Sequence, residues 1–135
     1  MQRLIKTLLL ALTIGALSAG TARPAVTRGT LHDVSLAIVD LYNAGDGIGL
    51  YARLSEPLAA RLSAERLTER LSGCHQRFGA LHRMSLPVAT MGTGALFAAY
   101  FEAGARDMNL EIDLDGRIRL LTFSGLGENC ALIAP

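Results

Sequence analysis

Between Arg106 and Phe123 the chain reads RDMNLEIDLDGRIRLLTF, and apolar residues fall on every second position: Met108, Leu110, Ile112 and Leu114. Asp107, Asn109, Glu111 and Asp113 occupy the gaps. A strand turns successive side chains to opposite faces, so this alternation predicts a strand with one buried and one wet face. Asp115-Gly116 is a hairpin signal, and Arg117–Phe123 is expected to return as a second strand.

Upstream the period is helical. Thr30 is placed to cap a first helix, with Leu31, Val34, Ile38, Leu41 and Tyr42 recurring at helical spacing until Asn43-Ala44-Gly45. Asp46 then caps a short helix through Leu54, with Leu50, Tyr51 and Leu54 as its buried side. Pro57 suits the first turn of a small helical piece, Leu58–Leu62. Ser63 caps a long helix to about Arg77, with a stripe of Leu67, Leu71, Cys74 and Phe78, and Gly79 stops it. Its charged residues read as a solvated face.

After Gly79 the period shortens to two. Leu81–Met91 reads as one strand with Met84, Leu86 and Val88 on a common face, and Pro87 marks an edge or a bulge. Met91-Gly92-Thr93-Gly94 is a turn, Ala95–Glu102 a second strand, and Ala103-Gly104-Ala105 the turn into the hairpin. Helices followed by strands joined through short turns mean an α+β fold: about three N-terminal helices packed on a curved four-stranded antiparallel sheet. The tail 125–135 is expected to pack back on the domain.

Residues 1–22 change the compartment. Arg3 and Lys6 form a basic start, Leu8–Leu17 an apolar run, and Gly20-Thr21-Ala22 a small-residue end. That is the pattern of a signal peptide, with cleavage expected after Ala22. Residues 23–29 then form a mobile lead-in. The product is expected to be exported, periplasmic or secreted, with no stable membrane anchor after cleavage. Its eleven basic and twelve acidic residues give a net charge of −1, which argues against nucleic acid as a partner. In such a compartment the two cysteines, Cys74 and Cys130, are expected to form a disulfide, although Cys74 also suits a plain buried thiol.

Motifs that carry chemistry are sparse. Glu111-x-Asp113-x-Asp115-Gly116-x-Ile118 matches part of a calcium loop, but Thr122 stands where a bidentate Glu is needed. A hairpin with a charged outer face is the better reading. Gly45-x-Gly47-x-Gly49 follows a helix rather than a strand, so it reads as a helix–helix turn rather than a phosphate cradle. Cys74, His75, His82 and Cys130 match no compact zinc spacing, and neighbours on a helix point about 100° apart. Neither G-x-S-x-G nor S-x-x-K appears. No metal and no cofactor is expected, and no catalytic residue is assigned.

Three segments, VDLYNAGDGIGLYARL at Val39–Leu54, RFGAL at Arg77–Leu81 and LEIDLDGRIRLLTF at Leu110–Phe123, resemble the nuclear transport factor 2-like superfamily, the cystatin-like cone. More narrowly, the chain is similar to a small domain of unknown function in exported bacterial proteins, often found ahead of a serine hydrolase. The resemblance spans about residues 30–124, which sets the expected domain. The chain departs from the pattern in its cysteine pair and in carrying no room for a hydrolase after the domain. The resemblance implies a cone, and one fold hosts many functions. Isomerases of the superfamily use a pocket acid with a tyrosine, so Asp40, Tyr42, Tyr51, Tyr100 and Asp107 are the residues such a pocket would draw on. Tyr42, Tyr51 and Tyr100 are the candidate ligand-lining residues; each also reads as a packing residue with its hydroxyl at a rim. The expected function is a non-catalytic exported domain that binds a protein partner or a small apolar ligand, or serves an envelope enzyme as an accessory. Alternatives are a small isomerase-like or hydrolase-like enzyme with a tyrosine/acid pocket, and a homodimer built through the exposed sheet face.

Overall fold

The computed structural model describes residues 26–135, so the signal-peptide reading of residues 1–22 lies outside the described residues. These hold four helices and six strands: α1 (Arg28–Ala44), α2 (Gly47–Tyr51), α3 (Glu56–Ala59) and α4 (Ala64–Phe78), then β1 (Leu81–Met84), β2 (Ala89–Met91), β3 (Gly94–Phe101), β4 (Gly104–Ile112), β5 (Ile118–Gly125) and β6 (Glu128–Ile133). The fold is α+β, with the helices against an antiparallel sheet in the order β1–β3–β4–β5–β6. β2 also pairs with β3, beyond the end of β1.

Both counts differ from the expectation of three helices and four strands. The cap of α1 is Thr27 rather than Thr30: the Thr27 hydroxyl accepts the Thr30 N–H at 3.1 Å, so the helix already holds Arg28 and Gly29 of the expected lead-in. The small piece at Pro57 is a helix of its own, α3. The expected strand Leu81–Met91 is broken at Ser85–Val88, where Pro87 cannot donate to a ladder. Leu86 and Val88 consequently lie outside any strand, 68% and 62% exposed, instead of continuing the face of Met84. The tail is itself a strand: β6 pairs with β5 from Gly125↔Glu128 to Leu121↔Ile133.

The other boundaries follow local chemistry. Gly45 ends α1 in the left-handed conformation, φ 63°, and Asp46 caps α2 by accepting the Gly49 N–H at 2.7 Å. Ser63 caps α4 in the same way through Arg66. In Gly45-x-Gly47-x-Gly49 the first glycine serves the cap of α1, and the other two serve close packing. A Cβ on Gly47 would lie 2.7 Å from the Thr68 Cα, so α2 and α4 touch backbone to backbone. The connection from α2 to α3 docks on the sheet, where Ser55 N–H donates to Ile118 O at 2.9 Å and Ile118 N–H to Arg53 O at 2.8 Å.

The space between helices and sheet is filled. Phe97, Phe101, Met108, Leu110, Leu121 and Phe123 point from the sheet toward Leu31, Ile38, Tyr42, Leu67, Leu71 and Phe78 of the helices, all buried. The rings of Tyr42, Phe78, Phe101 and Phe123 stack edge-on or tilted at centroid distances of 5.0 to 5.9 Å. The opposite face of the sheet carries no helix among the described residues.

Candidate functional site

The uncovered face is built by strand register. Residues paired across an antiparallel sheet share a face, so two rows cross it. One runs Ala89, Leu96, Asn109, Thr122, Ala131; the next runs Met91, Gly94, Glu111, Leu120. In the second row Gly94 contributes no side chain between Met91 and Glu111. A Cβ there would meet only ordinary contacts, Leu110 O at 3.4 Å and Met91 O at 3.5 Å. The missing side chain leaves a groove of about 390 Å³ with Gly94 on its floor and Met91, Leu96 and Leu120 as apolar walls. Asn109, Glu111 and Thr93 supply the polar part of its lining. Glu111 is held by Arg119 at 3.2 Å, so the carboxylate is neutralised by a neighbour on the same face. A smaller groove of about 140 Å³ adjoins at Glu111 and Leu120 and continues past Arg119 to Arg61.

The structure does not bring the three candidate tyrosines together. Tyr42 lies in the core, and its hydroxyl donates to Gly79 O at 3.1 Å. Burial pushes its phenol up to about 12, with Arg77 pulling in the other direction. Tyr51, at the end of α2, donates to Ala59 O at 2.9 Å. Tyr100 is on the uncovered face, with the Arg83 guanidinium 4.0 Å above its ring. Asp40 and Asp107 are exposed, on α1 and on the uncovered face of β4 respectively. The tyrosines therefore stand in three places, and the interior is packed with rings.

The carboxylate row of the hairpin serves the turn. Asp113 Oδ1 accepts the N–H groups of Asp115 and Arg117, both at 2.9 Å, and Asp113 N–H donates to Arg117 O. This side-chain turn ends β4 at Ile112 and leaves Leu114 58% exposed, although the alternation points it inward. Among the described residues no three His, Cys, Asp or Glu side chains cluster as metal ligands.

Cys74 and Cys130 are bridged, with Cα atoms 5.8 Å apart. The bridge is the middle of a larger arrangement. Arg70, Cys74 and Arg77 stand at i, i+4 and i+7 on α4, and each meets β6. Arg70 Nη1 donates to Leu132 O at 3.0 Å, and Arg77 Nη1 to Asn129 O at 2.9 Å. The sequence pattern puts these arginines on a solvated face, because their partners are backbone carbonyls of a strand that the pattern does not reveal.

Arg106 is a further residue that sequence reasoning misses. Only 4% exposed, it pairs with Glu128 at 2.9 Å, donates to Ala105 O at 3.0 Å, and lays its guanidinium 4.8 Å from the Phe78 ring centre. Its parity is visible in the chain: Arg106 shares the alternation of Met108, Leu110 and Ile112. Its partner is not, being 22 residues downstream. No family model matches the chain, and no curated protein or solved structure matches it.

Proposed function

We propose that this chain is an exported, non-catalytic binding domain of the cone type that holds a small apolar ligand on the uncovered face of its sheet. The observation that carries the reading is the groove floored by Gly94, whose walls are apolar and whose volume of about 390 Å³ is that of a small-molecule site. Export is supported by the basic start and apolar run of residues 1–22 together with the bridged cysteines, which persist in oxidising compartments. The helices-on-sheet arrangement is what a cone of the nuclear transport factor 2-like kind requires. A binding role fits better than a tyrosine/acid enzyme, because an interior packed with aromatic rings offers no common setting for Tyr42, Tyr51 and Tyr100.

The test is titration of the purified protein with N-phenyl-1-naphthylamine, a probe that is apolar and uncharged and so is not repelled by Glu111. Saturable fluorescence enhancement is expected. Gly94→Val fills the groove floor at ordinary contact distance and adds strand propensity, so it should weaken the probe about tenfold or more while the thermal midpoint holds. Unsaturable enhancement, or equal affinity in the Gly94→Val variant, would remove the groove as the binding site.

A further inference from the structure

We propose that the β2 edge is a self-association surface, at which two copies of this chain pair β2 with β2 antiparallel about a two-fold axis. The inference does not rest on the ligand reading.

Among the described residues nothing covers the segment. All of Ala89, Thr90 and Met91 are exposed, Met91 to 83%, and Leu86 and Val88 beside them are the exposed apolar residues described above. An edge strand is a template for another chain, and proteins blunt it with charge, above all lysine. Here that charge is absent, and the blunting comes from Pro87 and the shortness of β2 alone. From Met84 to Phe101 the chain reads MSLPVATMGTGALFAAYF, without one charged residue. The nearest charge on the same edge, Arg83, is turned onto the Tyr100 ring.

Lack of charge selects the partner. In a two-fold contact a residue near the axis meets its own copy, so any charge there would face itself and repel. An uncharged edge is what self-pairing requires. A charged partner strand would find nothing complementary on it. The far edge then sets the number of copies. β6 is held against α4 by Arg70, the Cys74–Cys130 bridge and Arg77, so it does not offer a second strand-pairing edge. One free edge per copy closes the assembly at two rather than propagating a filament. Pro87 limits the shared ladder to the stretch after it. The pair would join two sheets into one and set the two grooves side by side, since Ala89 and Met91 line them.

Sedimentation velocity over a concentration series tests this. The wild-type chain is expected to pass from monomer to dimer. Thr90→Lys, at the middle of β2, should weaken the dimer about tenfold or more, and Thr90→Glu likewise. An equimolar mixture of the two variants should regain it, which also shows that both fold. Thr122→Lys, on the uncovered face but away from the edge, should leave the dimer intact. A wild-type chain that stays monomeric at millimolar concentration overturns the proposal. So does a dimer lost in Thr122→Lys but kept in Thr90→Lys, which would put the contact on the face. Wild-type species larger than two overturn the closure at β6.

Discussion

The two edges of this sheet are treated differently by the same chain. Along β6, one face of α4 supplies two arginine donors to backbone carbonyls and a covalent bridge between them. Along the other edge, among the described residues, only the first residue of β1 is held. There the Asn43 side chain donates to Leu81 O at 2.8 Å and accepts the Leu81 N–H at 2.9 Å, mimicking a strand for one residue. Past Leu81 nothing comparable follows among the described residues, and β2 stands exposed. The contrast teaches that edge protection here is a matter of which helix lies alongside. α4 places its donors at two points along β6, whereas the hydrogen bonds from α1 to β1 all come from Asn43, in the last turn of α1.

Three variants would break or sharpen that contrast. The largest effect is expected from Cys74→Ser with Cys130→Ser. The bridge closes a separation of 56 residues, for which the chain-entropy model gives about 4 kcal/mol. Urea denaturation of the wild-type and doubly substituted proteins measures it; a loss below about 1 kcal/mol would mean the arginines alone hold β6. Next is Asn43→Ala, which strips the Leu81 N–H and C=O of their partners together. A cost of about 2 kcal/mol is expected, read from the same denaturation midpoints. An unchanged midpoint would mean that β1 is as unguarded as β2. The smallest is Arg77→Ala. It removes a charge-assisted bond to β6 and a second, within α4, to Gly73 O, both at the surface, so about 1 kcal/mol should be lost, and faster amide exchange among the strands should be confined to β6. Faster exchange spread over the whole sheet would show that Arg77 supports more than its edge.

How much of this can be read from the chain depends on where each signal lies. The helices and the β4–β5 hairpin announce themselves locally, through the Leu67–Phe78 stripe and the Met108–Ile112 alternation. Leu114 escapes because a side-chain turn at Asp113 overrides the alternation by one step. β6 escapes because its hairpin is built on Leu126 and Gly127, both at positive φ (54° and 77°), and leucine rarely takes that conformation. With β6 unseen, the roles of Arg70, Arg77 and Arg106 cannot be assigned, since all three close on residues 128–132. The groove is legible only through register. Gly94 becomes a floor when Met91 and Glu111 are known to flank it.

The bridge has one more consequence. Cys74 precedes Leu81, the first residue of β1, by seven positions, and Cys130 lies within β6. The covalent link therefore ties the last strand to the chain that leads into the first. All of β1 to β5 lies inside the ring so formed, while α1, α2 and α3 stay outside it. The sheet is open in its hydrogen bonding and closed in its connectivity, a barrel in covalent terms alone. Its terminal strands cannot drift apart beyond the reach of a short tether, even in a molecule whose ladder has come undone.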